Sequence, residues 1–184
     1  CSSRRRHTRC QIQSRGLGDV YKRQGLARRG DVRVLALDID HSATSFVRRL
    51  ERYDVAYEPV DAGAAGSATR AADLALVEVL AMDETRLVVP SGSSTIAAGA
   101  AAFETPVWAV AGVGRRLPSA YVDAMEEKRD TLAAERDVWT LDVEILPSRL
   151  VTDIVGPHGT MPMGPPAARP ECPLAAELLR SVAM

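Results

Sequence analysis

Five consecutive residues, Ser91, Gly92, Ser93, Ser94 and Thr95, carry the densest chemistry in this chain. They follow a β-rich run broken at Pro90 and lead into an Ala-rich stretch that ends at Phe103. A turn of this kind entering a helix aims unpaired backbone N–H groups and hydroxyls at one point, where an anion such as a sugar phosphate can sit. Ser and Thr also cap helices that bind nothing, so capping alone and capping with anion binding both stay open. Arg115 and Arg116, after Gly112 and Gly114, form a second polar turn; their guanidinium groups either grip a phosphate bidentately or remain solvated. Glu78 sits inside the apolar run 74–79. A buried carboxylate needs a partner or a function, which makes Glu78 the candidate proton shuttle. Asp38 and Asp40 suit a turn, or the neighbourhood of a sugar hydroxyl. His41 and His158 have no partner at metal-ligand spacing, so no metal and no cofactor is expected.

For these residues to converge, strands must end where they stand. Segments 32–38, 55–60, 74–79 and 106–111 read as short strands, and 86–89 as either a further strand or the lead-in to the next helix. Helical spacing recurs at Phe46, Val47 and Leu50 within 45–53, and a short helical link is expected over 68–73. A longer helix is expected over 118–136, with Pro118 in its first turn and Tyr121, Val122, Met125, Leu132 and Ala133 on one face. The stretch 143–156 closes the domain, interrupted at Pro147; 157–173 is a Pro/Gly-rich loop, and 174–182 a terminal helix. Strands alternating with helices imply an α/β fold with a parallel sheet and flanking helices. In such sheets ligands bind beyond the carboxyl ends of the strands. The exits 38–44, 61–67, 79–85, 90–95 and 111–117 should therefore share one rim.

Residues 1–24 read differently from the rest. They lack an apolar period and cluster Arg at 4, 5, 6 and 9; the run 16–24 resembles translated adapter sequence, a native basic arm or transit peptide being the other readings. Seven of the 23 basic residues and one of the 24 acidic residues fall there, leaving 16 and 23 in the remainder. A body of that sign offers no large nucleic-acid footprint. The 160 residues from 25 onward make one domain's worth, divided here into a core over 25–160 and a tail over 161–184. Of the three cysteines, Cys1 and Cys10 lie in the first segment and Cys172 stands apart, so neither a disulfide framework nor a zinc spacing is present. No apolar run is long enough to span a bilayer and no secretory signal is visible, which makes a cytoplasmic protein without a membrane partner the expectation.

The order of motifs resembles a known family. Segment 77–103 with its hydroxyl-rich helix entry, the strand 106–111, and the stretch from Asp142 through Pro147, Leu150 and Gly156 to Gly159 are similar to the carboxyl-terminal domain of proteins related to the translation initiation factor 2B alpha, beta and delta subunits. That family includes methylthioribose-1-phosphate and ribose-1,5-bisphosphate isomerases. The resemblance implies a Rossmann-like domain, here a fragment lacking the family's amino-terminal helical domain, and a homodimer or family-type oligomer. It also implies what an isomerase needs: a Cys from a region preceding residue 32 that is expected to be absent here, and an Asp whose position falls on Val79, one residue after Glu78. The family's Asn-Lys pair falls on Val89 and Pro90. Val can neither donate nor accept the proton that sugar isomerisation moves.

The expectation is therefore an initiation factor 2B-like domain that binds a sugar phosphate or nucleotide through Ser91, Gly92, Ser93, Ser94, Thr95 and Arg115, non-catalytic as it stands. The alternative is an aldose-ketose isomerase acting on a phosphorylated pentose with Glu78 as proton shuttle. An unrelated dinucleotide-binding domain is a weaker third reading, because Gly112 and Gly114 are followed by Leu117 where the Gly-x-Gly-x-x-Gly spacing requires Gly.

Overall fold

Aliphatic runs bounded by Gly, Pro and Asp become strands, and segments with a helical period become the connections between them. The computed structural model describes residues 8–13, 32–38 and 44–180. Along the chain it places β1 Thr8–Gln13, β2 Val32–Asp38, α1 Thr44–Arg52, β3 Ala56–Asp61, α2 Ala65–Ala71, β4 Leu74–Val79, β5 Ala81–Met82 and β6 Arg86–Pro90. There follow α3 Ser93–Ala102, β7 Val107–Ala111, α4 Ser119–Glu135, β8 Val143–Pro147, β9 Asp153–Gly156, β10 Gly159–Pro162 and α5 Ala176–Arg180.

Seven strands form the main sheet in the order β10-β9-β7-β4-β1-β2-β3. All its pairings are parallel except that of β10 with β9. Strands 1, 2 and 3 run outward on one side and strands 4, 7 and 9 on the other, which is the Rossmann-like winding, with its switch point between β1 and β4. Alternation along β4 divides the core. Ala75, Val77 and Val79 pack with Ile96, Ala97 and Ala100 of α3 on one face. On the other, Leu76 joins Val34, Ala36 and Val110 beneath Phe46 and Leu50 of α1. Side chains two apart on a strand share a face, so one strand feeds both layers.

Several findings depart from the sequence reading. Segment 86–89 lies outside the parallel sheet: β6 is the middle strand of a separate antiparallel sheet, β5-β6-β8. This small sheet is a spacer, with Leu87, Val89 and Leu146 facing the main core and Val88, Ala81 and Ile145 facing Val122 of α4. Residues 143–156 accordingly split between the two sheets at Pro147, and the loop expected over 157–173 contains β10. Segment 8–13 forms β1, paired on both sides, although its sequence lacks the apolar run usual for an inner parallel strand. The helix 119–135 has the expected extent, but of its apolar face only Val122 is fully buried, while Met125 is 42 % exposed. Among the described residues, no helix is long and apolar enough to cross a membrane.

Ile96 is fully buried at the contact between α3, β4 and the small sheet. Ile96→Ala should therefore lower stability by about 2–5 kcal/mol, read as a shift of the urea midpoint at unchanged slope.

Candidate functional site

The bend between β6 and α3 has the geometry its composition suggests. Gly92 takes φ +86°, a left-handed conformation that glycine adopts without strain, and it hands the chain from β6 to the helix that starts at Ser93. Because α3 carries the chain back to the start of the parallel strand β7, its amino end lies at the carboxyl-end side of the sheet. The donors there already serve an anion belonging to the chain. The Gly92 amide donates to one carboxylate oxygen of Glu144, and the Ser94 amide to the other at 3.3 Å. Glu144 is directly opposite Val89 in the β6–β8 ladder, two residues from the Leu87–Leu146 pair whose side chains enter the main core. The same register therefore turns Glu144 inward, toward the start of α3.

The hydroxyl residues of the bend divide by role. Ser93 is buried and its hydroxyl donates to the Pro90 carbonyl at 2.6 Å, closing the turn. The Ser91 amide donates to the Asp142 carbonyl at 2.9 Å, tying the bend to the lead-in of β8. Ser91 and Ser94 are partly buried and Thr95 is exposed. Arg115, grouped with this bend in the sequence reading, instead donates from Nη1 to the Leu80 carbonyl at 2.8 Å. Its own carbonyl accepts from Met82. It fastens the exit of β7 to the small sheet.

Glu78 is fully buried in β4, paired in register with Val110 of β7. Since Val77 and Val79 face α3 and Leu76 faces α1, Glu78 points to the α1 side. The sheet therefore separates Glu78 from the amino end of α3, and the structure does not bring the two candidates together. His158 is exposed on the turn between β9 and β10. The exit 39–43, with Asp40 and His41, lies outside the described residues, as does the segment following β1 at the switch point. Among the described residues, no cluster of three or more His, Cys, Asp or Glu side chains could hold a metal.

Two further polar assemblies went unseen in the sequence. In the β5–β6 turn, the buried Asp83 carboxylate accepts from the Thr85 and Arg86 amides at 2.8 Å each and from the Arg86 guanidinium at 2.7 Å. The same guanidinium reaches Asp123 and Glu126 on α4, so one arginine joins hairpin and helix. Burial by itself pushes the Asp83 carboxyl up, but the Arg86 and Thr85 hydrogen bonds together outweigh it and hold the group below its usual value. In the second assembly, the Gly114 and Arg116 amides and the Arg116 guanidinium converge on Glu171. Neither Glu144 nor Glu171 carries a local signature: each is an acidic residue whose role appears only when a distant segment folds beside its partner.

Fold and site together define an open α/β domain in which the turns at Gly92 and Gly114 are closed by the chain's own carboxylates. No protein-family model and no curated protein matches the sequence. Among solved structures, the chain is similar to eIF2B beta from Chaetomium thermophilum, at TM-score 0.65 and 14 % identity over 95 % of this chain and 47 % of that one. It is also similar to translation initiation factor eIF-2B from Pyrococcus horikoshii OT3, at 0.65 and 14 % over 89 % of this chain and 61 % of that one. The tetrameric eIF2B-beta2-delta2 complex from C. thermophilum gives 0.59 and 14 % over 88 % and 54 %. The chain thus spans about half to three fifths of the length of the structures it matches. It has the fold of the eIF2B-type Rossmann-like domain.

The Asp83 carboxyl is held low in the folded state, so its contribution is complete above the unfolded carboxylate range and is lost as pH falls through the folded value. Asp83→Asn should cost about 1–3 kcal/mol at pH 7. The gap between the variant and the parent should narrow as urea midpoints are followed from pH 7 to below the unfolded carboxylate range.

Proposed function

We propose that this chain is the Rossmann-like domain of an initiation factor 2B-type protein, non-catalytic as it stands, which binds a phosphorylated small molecule at the start of α3. In this reading it works in translation initiation in the cytoplasm and pairs with a second copy or a related subunit. The observation that carries the ligand site is the carboxylate of Glu144 seated on the Gly92 and Ser94 amides. Two backbone donors at a helix amino end, already donating to a carboxylate, form a receptor for a phosphate that displaces the glutamate. Likeness of fold to eIF2B chains supports the assignment of type, and one of those structures is a tetramer of beta and delta subunits, which supports assembly here.

The isomerase reading gains nothing from the geometry. Proton transfer during sugar isomerisation needs an acid or base within hydrogen-bond reach of the substrate. A sugar phosphate anchored at Gly92 lies on the α3 side, whereas Glu78 faces α1 across the sheet.

Two measurements test the proposal. Saturating phosphate or a pentose phosphate should slow amide exchange over 91–95, and Glu144→Gln, which removes the competing charge while keeping the side-chain shape, should reach the same protection at about one tenth of the concentration. Exchange that stays unchanged in both proteins would remove the pocket. Incubation with pentose 1-phosphates should yield no ketose product; turnover that disappears in Glu78→Gln would restore the isomerase.

A further inference from the structure

The 114–116 turn has the same construction as the start of α3 and a different occupant. Gly114 adopts φ +76°, which turns its amide to the same side as that of Arg116. Successive N–H groups in such a conformation form a concave anion nest. Glu171 Oε2 accepts from the Gly114 amide at 2.6 Å and from the Arg116 amide at 3.5 Å, while its Oε1 pairs with the Arg116 guanidinium. The Glu171 amide in turn donates to the Arg116 carbonyl at 2.8 Å. Burial works to raise the Glu171 carboxyl, but the Arg116 guanidinium and the two amides prevail and keep it below its usual range, so it is an anion at neutral pH. Arg116 Nε is buried without a hydrogen-bond partner, a third donor on the same guanidinium that Glu171 leaves unused.

What Glu171 holds in place is the segment 171–180. A further attachment is made by one hydroxyl: Tyr121 Oη on α4 accepts from the Ala175 amide at 2.7 Å and donates to the Ala175 carbonyl at 3.2 Å. Leu174 and Leu178 are 54 % and 61 % exposed. A cavity of about 520 Å³ lies between the segment and α4, lined by Leu117, Tyr121, Met125, Lys128, Leu178 and Leu179. The five-residue α5 is too short to be stable unless held against α4.

We infer that the 114–116 turn is a phosphate receptor for which Glu171 is the resident substitute, and that a phosphate group binding there releases the 171–180 strap from α4. Two convergent amides and a forked guanidinium suit the three oxygens of a phosphate at least as well as the two of a carboxylate. Release uncovers the face of α4 that carries Tyr121 and Met125. The site is distinct from the one at Gly92 and is read out by different amides, so either can fail without the other.

The test is residue-resolved hydrogen exchange on the full chain with inorganic phosphate as the probe. In the unmodified protein, phosphate should speed exchange over 176–179 and leave Gly114 and Arg116 protected, while sodium chloride at equal ionic strength should not. Glu171→Gln should raise strap exchange about tenfold without phosphate, the charge-assisted bonds being the main attachment. Added phosphate should then slow the Gly114 and Arg116 amides of that variant. Strap exchange unaffected by phosphate in the unmodified protein overturns the proposal, as does an equal response to chloride, which would be simple screening of the ion pair. If Glu171→Gln folds and its Gly114 and Arg116 amides ignore phosphate, the receptor is excluded. The titration of the unmodified protein decides the matter if that variant does not fold.

Discussion

Backbone N–H groups at the strand exits must find acceptors, and this requirement shapes the whole carboxyl side of the domain. A parallel sheet sends every strand into a turn at the same edge, and each turn that enters a helix leaves amides without intrahelical partners. Here three turns are closed by side-chain carboxylates: Glu144 on Gly92 and Ser94 where β6 of the small sheet enters α3, Asp83 on Thr85 and Arg86 in the β5–β6 hairpin, and Glu171 on Gly114 and Arg116 after β7 of the parallel sheet. Each carboxylate closes its turn and fastens a neighbouring element. Glu144 joins β8 to α3, Asp83 and Arg86 join the hairpin to α4, and Glu171 fixes the carboxyl-terminal strap.

The small antiparallel sheet makes this possible. Inserted between the main core and α4, it gives β6 and β8 one face toward Ile96 and Leu146 and another toward Val122. That arrangement puts Glu144 in an inward register that would otherwise hold an aliphatic residue, and the start of α3 supplies the donors that make an inward carboxylate tolerable. The bend is consequently coupled to the pairing of β6 with β8: a register slip would turn Glu144 outward and leave the Gly92 and Ser94 amides without it. Under the proposed function, an incoming phosphate would have to displace a carboxylate already covalently tethered at the site.

Much of this architecture was legible beforehand because apolar periodicity reports burial directly. Phe46 and Leu50 are one helical turn apart and both are buried under the sheet. Leu76, Val77 and Val79 alternate into the two core layers. Gly92 and the hydroxyl residues around it mark a strand-to-helix turn, and that is where α3 begins. Other features left no such mark. The segment 8–13 gains its place from neighbours on both sides and has no apolar period of its own. Segment 86–89 is as apolar as a strand of the main sheet, and only its partners distinguish the sheet it joins.

The sequence by itself determined the alternation of strands and helices, the turn at Gly92, the Ala-rich helix after it and the apolar face of α1, because each depends on residues adjacent in the chain. Tertiary structure alone decided the strand order, the separation of Glu78 from the bend, and the choice of Glu144 and Glu171 as the anions that fill the turns. The two carboxylate contacts join residues about fifty or more positions apart. Local periodicity carries no information about which distant carboxylate arrives at a given pair of amides.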